Sequence, residues 1–119
     1  MAHQKVAGRG CIYCIYESTD NTPLDKQSAR YVGKTFDFDA RLAGHNREIQ
    51  AQQDGKKTAS LNVDRKIASG RRGGKRYTME CIKHHVASTD LSAWEKHLIA
   101  EYNTYGAAAE LQWNETEGG

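Results

Sequence analysis

Five side chains able to move protons or hold a phosphate fall within one stretch of 33 residues: Tyr13, Tyr31, Lys34, Arg41 and His45. A free phenol ionises near pH ~10 and needs a neighbouring cation or metal-bound water to act as a base at neutral pH. A guanidinium meets two non-bridging oxygens of a phosphodiester together, where negative charge grows in the transition state. An imidazole relays a proton or hydrogen-bonds a phosphate. Arg41 comes ten residues after Tyr31 and four before His45. This density of groups points to phosphodiester chemistry.

Those residues must be held by regular elements. Cys11–Glu17 reads as a first strand, aromatic and β-branched. Ser18–Ser28 is a turn cluster around Pro23, and Ala29–Lys34 the second strand of an antiparallel pair. Thr35 or Asp37 is the expected N-cap of a helix starting near Phe38. Arg41 and His45 would share one face of it, with Leu42 and Ile49 on a neighbouring face turned to the core. Asp54-Gly55 ends that helix. A second helix is expected from about Ser60 to Ser69 (Leu61, Val63, Ile67), then a flexible loop over Gly70–Arg76 and a third strand over Arg76–Val86. A last helix opens after Thr89 or Asp90 and runs to about Tyr105, with Leu91, Trp94, Leu98, Ile99 and Tyr102 as its apolar stripe and Gly106 as its stop. Strand, strand, helix, helix, strand, helix is an α+β order: a small mixed or antiparallel three-stranded sheet flanked by helices.

The 119 residues fit one domain, read as a lead-in over residues 1–9 and a single unit over 10–119. No apolar run of about 18 residues could span a membrane, and the first ten residues lack a signal-peptide core, so the expected location is cytoplasmic. Net charge is +2, but from Lys56 to Arg76 eight bases (Lys56, Lys57, Arg65, Lys66, Arg71, Arg72, Lys75, Arg76) face only Asp64. Such a block is either a phosphate-backbone footprint or a solvated surface. Three cysteines argue against a disulfide framework. Cys11 and Cys14 form a CxxC pair, but residues three apart in a strand point to opposite faces. One is expected to face the core. Metal or redox use of the pair is disfavoured, as is zinc at His84, His85 and His97, because adjacent strand histidines also face apart.

Tyr13, then Tyr31-Val32-Gly33-Lys34, Arg41, His45, Glu95 on the last helix and Trp113-Asn114 near the end resemble the GIY-YIG nuclease family, in order and spacing, over about residues 11–119. The stretch Thr58–Ile82 resembles its phage and intron-homing branch. Cys11 stands where the family name has its first Gly, and the connection between the two tyrosine strands is long.

The resemblance implies a metal-dependent DNA endonuclease, homing or restriction-like, phage-encoded and working inside a bacterial host. Tyr13 would take or orient the proton of the attacking water, aided by Tyr31, Lys34 or His45, and Lys34 would stand beside the two phenols. Arg41 would stabilise the phosphorane-like charge. Glu95 would hold one Mg²⁺ or Mn²⁺ at the leaving oxygen, and Glu101 lies too far round the helix to share it. Asn114 would fix geometry by hydrogen bonding. Gly33 would let double-stranded DNA approach closely, and the basic block would grip its backbone. Cutting both strands would need a homo-oligomer or sequential nicks. With nothing after Gly119, the chain reads as a small stand-alone nuclease or a catalytic fragment. The rival reading is a catalytically silent nucleic-acid-binding module of the same fold, against which Glu95 argues, because binding alone does not require it.

Overall fold

Six successive apolar or aromatic residues from Cys11 to Tyr16 leave no polar face on a strand, so the strand needs cover on both sides. The computed structural model describes residues 8–19, 25–54, 62–108 and 111–118, apart from the side chains at 52, 53 and 62. In it β1 (Arg9–Ser18) is the middle strand of a three-stranded sheet, between β2 (Ala29–Thr35) and β3 (Arg76–Ala87). Both pairings are antiparallel. With three helices the fold is α+β, as the element order requires.

Side chains of β1 alternate between two cores. Cys11, Tyr13 and Ile15 pack with Phe38 and Ile49 of α1 (Phe38–Gln53), with Val63, Ile67 and Ala68 of α2 (Asn62–Arg72), and with Trp113. Ile12, Cys14 and Tyr16 pack on the other face with Val32, Val86 and Leu91, Leu98 and Ile99 of α3 (Leu91–Tyr102). The sheet thus lies between α1 and α2 on one side and α3 on the other. Cys11 and Cys14 do point to opposite faces, and both are buried rather than one. Truncating Ile12 or Ile15 to Ala would cost on the order of 2–5 kcal/mol.

Helix ends follow from local chemistry. Asp37 caps α1, its Oδ1 accepting the Ala40 N–H at 3.1 Å, while Thr35 Oγ1 accepts the Asp37 N–H at 3.1 Å. The buried stripe of α1 is Phe38, His45 and Ile49, with Leu42 partly buried beside them. His45 is therefore part of the buried stripe of α1. α2 runs past the expected stop, so Gly70, Arg71 and Arg72 are helical and not loop. Gly70 is tolerated because the Tyr77 ring occupies the space of a side chain there. α3 stops earlier than expected. Asn103 takes the left-handed conformation (φ 55°, ψ 47°), and the N–H groups of Asn103 and Thr104 close onto the Ala100 and Ile99 carbonyls.

The segment after α3 returns to the open edge of β2. Trp113 N–H donates to the Arg30 carbonyl at 2.9 Å, and Asn114 bridges to Tyr105. β3 departs from strand regularity at His85, which has φ +52° and whose ring lies 6.2 Å from that of His84. The alternation expected of these two residues does not hold at that point.

Candidate active site

Register decides which residues meet. Tyr13 opposes Gly33, and Tyr31 opposes Ile15, so both phenols leave the sheet on the α1 face. Their ring centroids are 6.2 Å apart. A side chain on Gly33 would place its Cβ 2.4 Å from Tyr13 Cζ. The missing side chain is thus filled by the Tyr13 ring, and the closest approach to Gly33 on that side comes from a phenol of the same chain.

Arg41 Nε donates to Tyr13 Oη at 3.4 Å, and the Tyr13 and Tyr31 rings pack against each other. Tyr13 is 0% exposed. Burial pushes its phenol above the ordinary range, and the hydrogen bond and charge of Arg41 draw it back only in part. Burial raises Tyr31 too, with Tyr13 and Glu95 adding to the rise. Both phenols are therefore protonated at neutral pH.

Lys34 lies elsewhere than expected. It opposes Ile12, so its side chain leaves by the α3 face, away from both phenols. Its Nζ donates to Ser92 Oγ at 2.8 Å and stands 3.8 Å from Glu95 Oε1. The cation beside the phenols is Arg41. Glu101 pairs with Lys26 at 3.6 Å, clear of Glu95.

His45 is 4% exposed, and its Nδ1 is hydrogen-bonded to Oδ1 of Asp64, itself 1% exposed. Its ring meets that of Tyr13 edge-on at 6.1 Å. His45 Nε2 and Asp64 Oδ2 are buried with no hydrogen-bond partner among the described residues. Sequence reasoning missed Asp64. The available signal was its position as the only acid in the basic block.

Tyr31, Arg41, His45, Glu95 and Asn114 line one cleft of about 260 Å³. The cleft wraps the edge strand β2, taking the first three from the α1 side and Glu95 from α3. Asn114 holds the wall: its Oδ1 accepts the Val32 N–H at 2.9 Å and the Thr104 hydroxyl at 2.6 Å, and its Nδ2 donates to the Val32 carbonyl at 2.8 Å. Tyr13 sits behind Tyr31 and Arg41, and Lys34 behind Glu95.

The basic block is divided. Arg65, Lys66, Arg71 and Arg72 lie on α2, Lys75 just before β3 and Arg76 at its start, whereas Lys56 and Lys57 fall outside the described residues. Lys66 Nζ sits 5.7 Å from the Trp113 ring centroid, and Lys75 is 3.4 Å from Glu17.

Two carboxylates line the cleft: Glu95 from α3, which is part-buried, and the exposed Glu115. A part-buried carboxylate with room beside it for water and a phosphate suits a hydrated Mg²⁺. No group of three or more His, Cys, Asp or Glu side chains gathers for a metal among the described residues. Glu95 is the residue that fits the ion.

A three-stranded α+β sheet with phenols, a guanidinium, an imidazole and a carboxylate around its edge is the layout of a hydrolytic nuclease domain. The family model of the GIY-YIG catalytic domain matches residues 9–108. The chain belongs to the GIY-YIG family, which implies nuclease activity on nucleic acid, and such nucleases typically use divalent metals. No curated protein and no solved structure matches the chain. Asn114 lies beyond the matched span, so its place in the site rests on its hydrogen bonds. Among the described residues no helix is long and apolar enough to cross a membrane.

Proposed function

We propose that this chain is a metal-dependent endonuclease that hydrolyses phosphodiester bonds in double-stranded DNA. The observation carrying this reading is the convergence of Tyr31, Arg41, His45, Glu95 and Asn114 on one cleft from both faces of the sheet. Water attacks phosphorus in line with the leaving 3′-oxygen. Arg41 spends its Nε on Tyr13, and its remaining N–H groups are the donors it offers to the non-bridging oxygens. Tyr13 and Tyr31, both protonated, orient rather than abstract. Glu95, steadied by Lys34, would hold one Mg²⁺ or Mn²⁺, which when bound supplies charge stabilisation at the leaving oxygen. Asn114 keeps the cleft wall in place through the β2 backbone. Arg65, Lys66, Arg71, Arg72, Lys75 and Arg76 of the basic block would grip the DNA backbone, with Lys56 and Lys57 completing the stretch in sequence. The likeness of Thr58–Ile82 to the phage and intron-homing branch supports a homing or restriction-like role in a bacterial host.

The test is supercoiled plasmid with Mg²⁺, beside EDTA and Glu95→Ala controls. Nicked or linear DNA that vanishes in both controls is the expected result, and the ratio of the two forms reads oligomeric state. DNA binding that survives EDTA with no nicking under any condition would instead identify a silent binding module.

A further inference from the structure

A general base is needed for the attacking water, and the two phenols are poor candidates. Tyr13 is buried and hydrogen-bonded to Arg41, and both phenols hold their protons tightly. His45 lines the cleft with Tyr31 and Arg41. Its partner is a carboxylate from another helix, reached through the core.

We propose that Asp64 is a positioning residue that acts through His45: it holds the Nδ1–H, fixes the tautomer, and leaves Nε2 as the unprotonated nitrogen that accepts the proton of the attacking water. This rests on the endonuclease reading above and adds to it the residue that makes the imidazole a base.

Four observations carry the proposal. First, the Asp64–His45 hydrogen bond joins α2 to α1, and both side chains are almost wholly buried. An imidazole with two ring nitrogens and one fixed carboxylate partner has its tautomer set by that partner. Second, Nε2 is left without a partner among the described residues. A buried polar atom without a bond is costly, and such orphans ask for a ligand, a water or a reacting group. Third, His45 borders the cleft shared with Arg41 and Glu95, so a phosphate held there brings its water to the same wall. Fourth, Asp64 stands alone in the first turn of a helix otherwise rich in Arg and Lys. A carboxylate needed only for the helix dipole would sit at the surface, and this one is buried.

The proton balance is simple. Water gives one proton to His45 Nε2 as its oxygen bonds to phosphorus. The P–O3′ bond breaks with its electron pair on O3′, which takes a proton from solvent water to leave as the 3′-hydroxyl. The imidazolium formed is stabilised by the Asp64 carboxylate, which keeps its own charge. His45 and Asp64 later return to the starting state as the imidazolium gives its proton to the hydroxide.

The experiment compares the full-length wild type with Asp64→Asn, His45→Gln and the double variant. Cleavage is read as single-turnover nicking of supercoiled plasmid with Mg²⁺. Binding is read on a fluorescent duplex with Ca²⁺ in place of Mg²⁺. Long-range ¹H–¹⁵N spectra of the imidazoles, taken above the ordinary histidine range, report the tautomer, and the resonance lost in His45→Gln identifies His45. The expected result is an Nδ1–H tautomer at His45 in the wild type and a changed pattern in Asp64→Asn. Nicking should fall by about 10²-fold or more in Asp64→Asn, with duplex affinity held within about twofold and no further loss when the change is added to His45→Gln. Any of three results overturns the proposal: an Nε2–H tautomer in the wild type, wild-type nicking by Asp64→Asn, or an equal loss in the His45→Gln background. Should Asp64→Asn fail to fold, the wild-type tautomer decides. A wild type that never nicks overturns the endonuclease reading and the catalytic half of this proposal with it, while the spectrum still decides the geometric half.

Discussion

Gly33 sets where the Tyr13 ring can lie. Because an added Cβ would fall 2.4 Å from Tyr13 Cζ, Gly33→Ala should expel the ring from its seat between Tyr31, Phe38 and His45. The expected cost is about 1–3 kcal/mol in urea unfolding, with loss of the Arg41 contact and hence of plasmid nicking. Tyr13→Val alone should cost more than Gly33→Ala, because it empties a buried seat. Adding Gly33→Ala to it should cost little further, since the overlap is gone, while nicking stays absent. Nicking retained in Gly33→Ala would show that Gly33 matters only for packing. At this scale Tyr31, Arg41 and His45 were legible as candidates from residue type and spacing, and Glu95 and Asn114 only through the family resemblance; the structure brings the five to one cleft. The sequence misplaced Lys34, because the side of a strand on which a residue emerges depends on a pairing register that type alone does not reveal. It missed Asp64, because a carboxylate in a first helical turn reads as a dipole partner until burial and the imidazole opposite are known.

The edge strand β2 carries one wall of the cleft, and edges are the weakest part of a sheet. Here Asn114 substitutes for a neighbouring strand, giving Val32 both an acceptor and a donor. Thr104, 0% exposed, spends its hydroxyl on the same side chain. Asn114→Ala should therefore destabilise by about 2 kcal/mol, chiefly from the polar groups left unsatisfied. It should also raise amide exchange at Val32, measured by NMR, before it affects exchange in β1. Exchange rising equally in all three strands would refute a local edge role. The elements themselves were legible where one signal dominated: the apolar run of β1, the Asp37 cap of α1 and the stripe of α3. The ends of α2 and α3 were not. Gly70 reads as a breaker until the Tyr77 ring is seen against it, and Asn103 outranks the more obvious Gly106 because it is the first residue able to take a left-handed turn once the buried stripe ends.

Sandwiching a short sheet between two cores hides phenols throughout the molecule, and this fixes how it answers to alkali. Tyr13 and Tyr31 lie in one core, Tyr16 in the other, and Tyr77 beside the first, its hydroxyl donating to Glu17 at 2.7 Å. Burial pushes all four above the ordinary phenol range. Above pH ~10 the unfolded chain loses these protons while the folded chain keeps them, so the unfolded state binds fewer protons and stability falls as pH rises. Below that pH the contribution is fully present. Urea midpoints should hold steady with respect to these groups up to about pH 10 and drop steeply beyond it. The phenolate absorbance of the four should appear together with the loss of helical circular dichroism, as a single transition. Tyr16→Phe should lessen the alkaline drop and leave nicking intact, because Tyr16 lies on the α3 face away from Arg41 and His45. If the phenolate signal instead rises well before the helical signal falls, the phenols are ionising inside the folded protein. Tyr13 could then serve as the base itself, and the work assigned to His45 and Asp64 would pass to it.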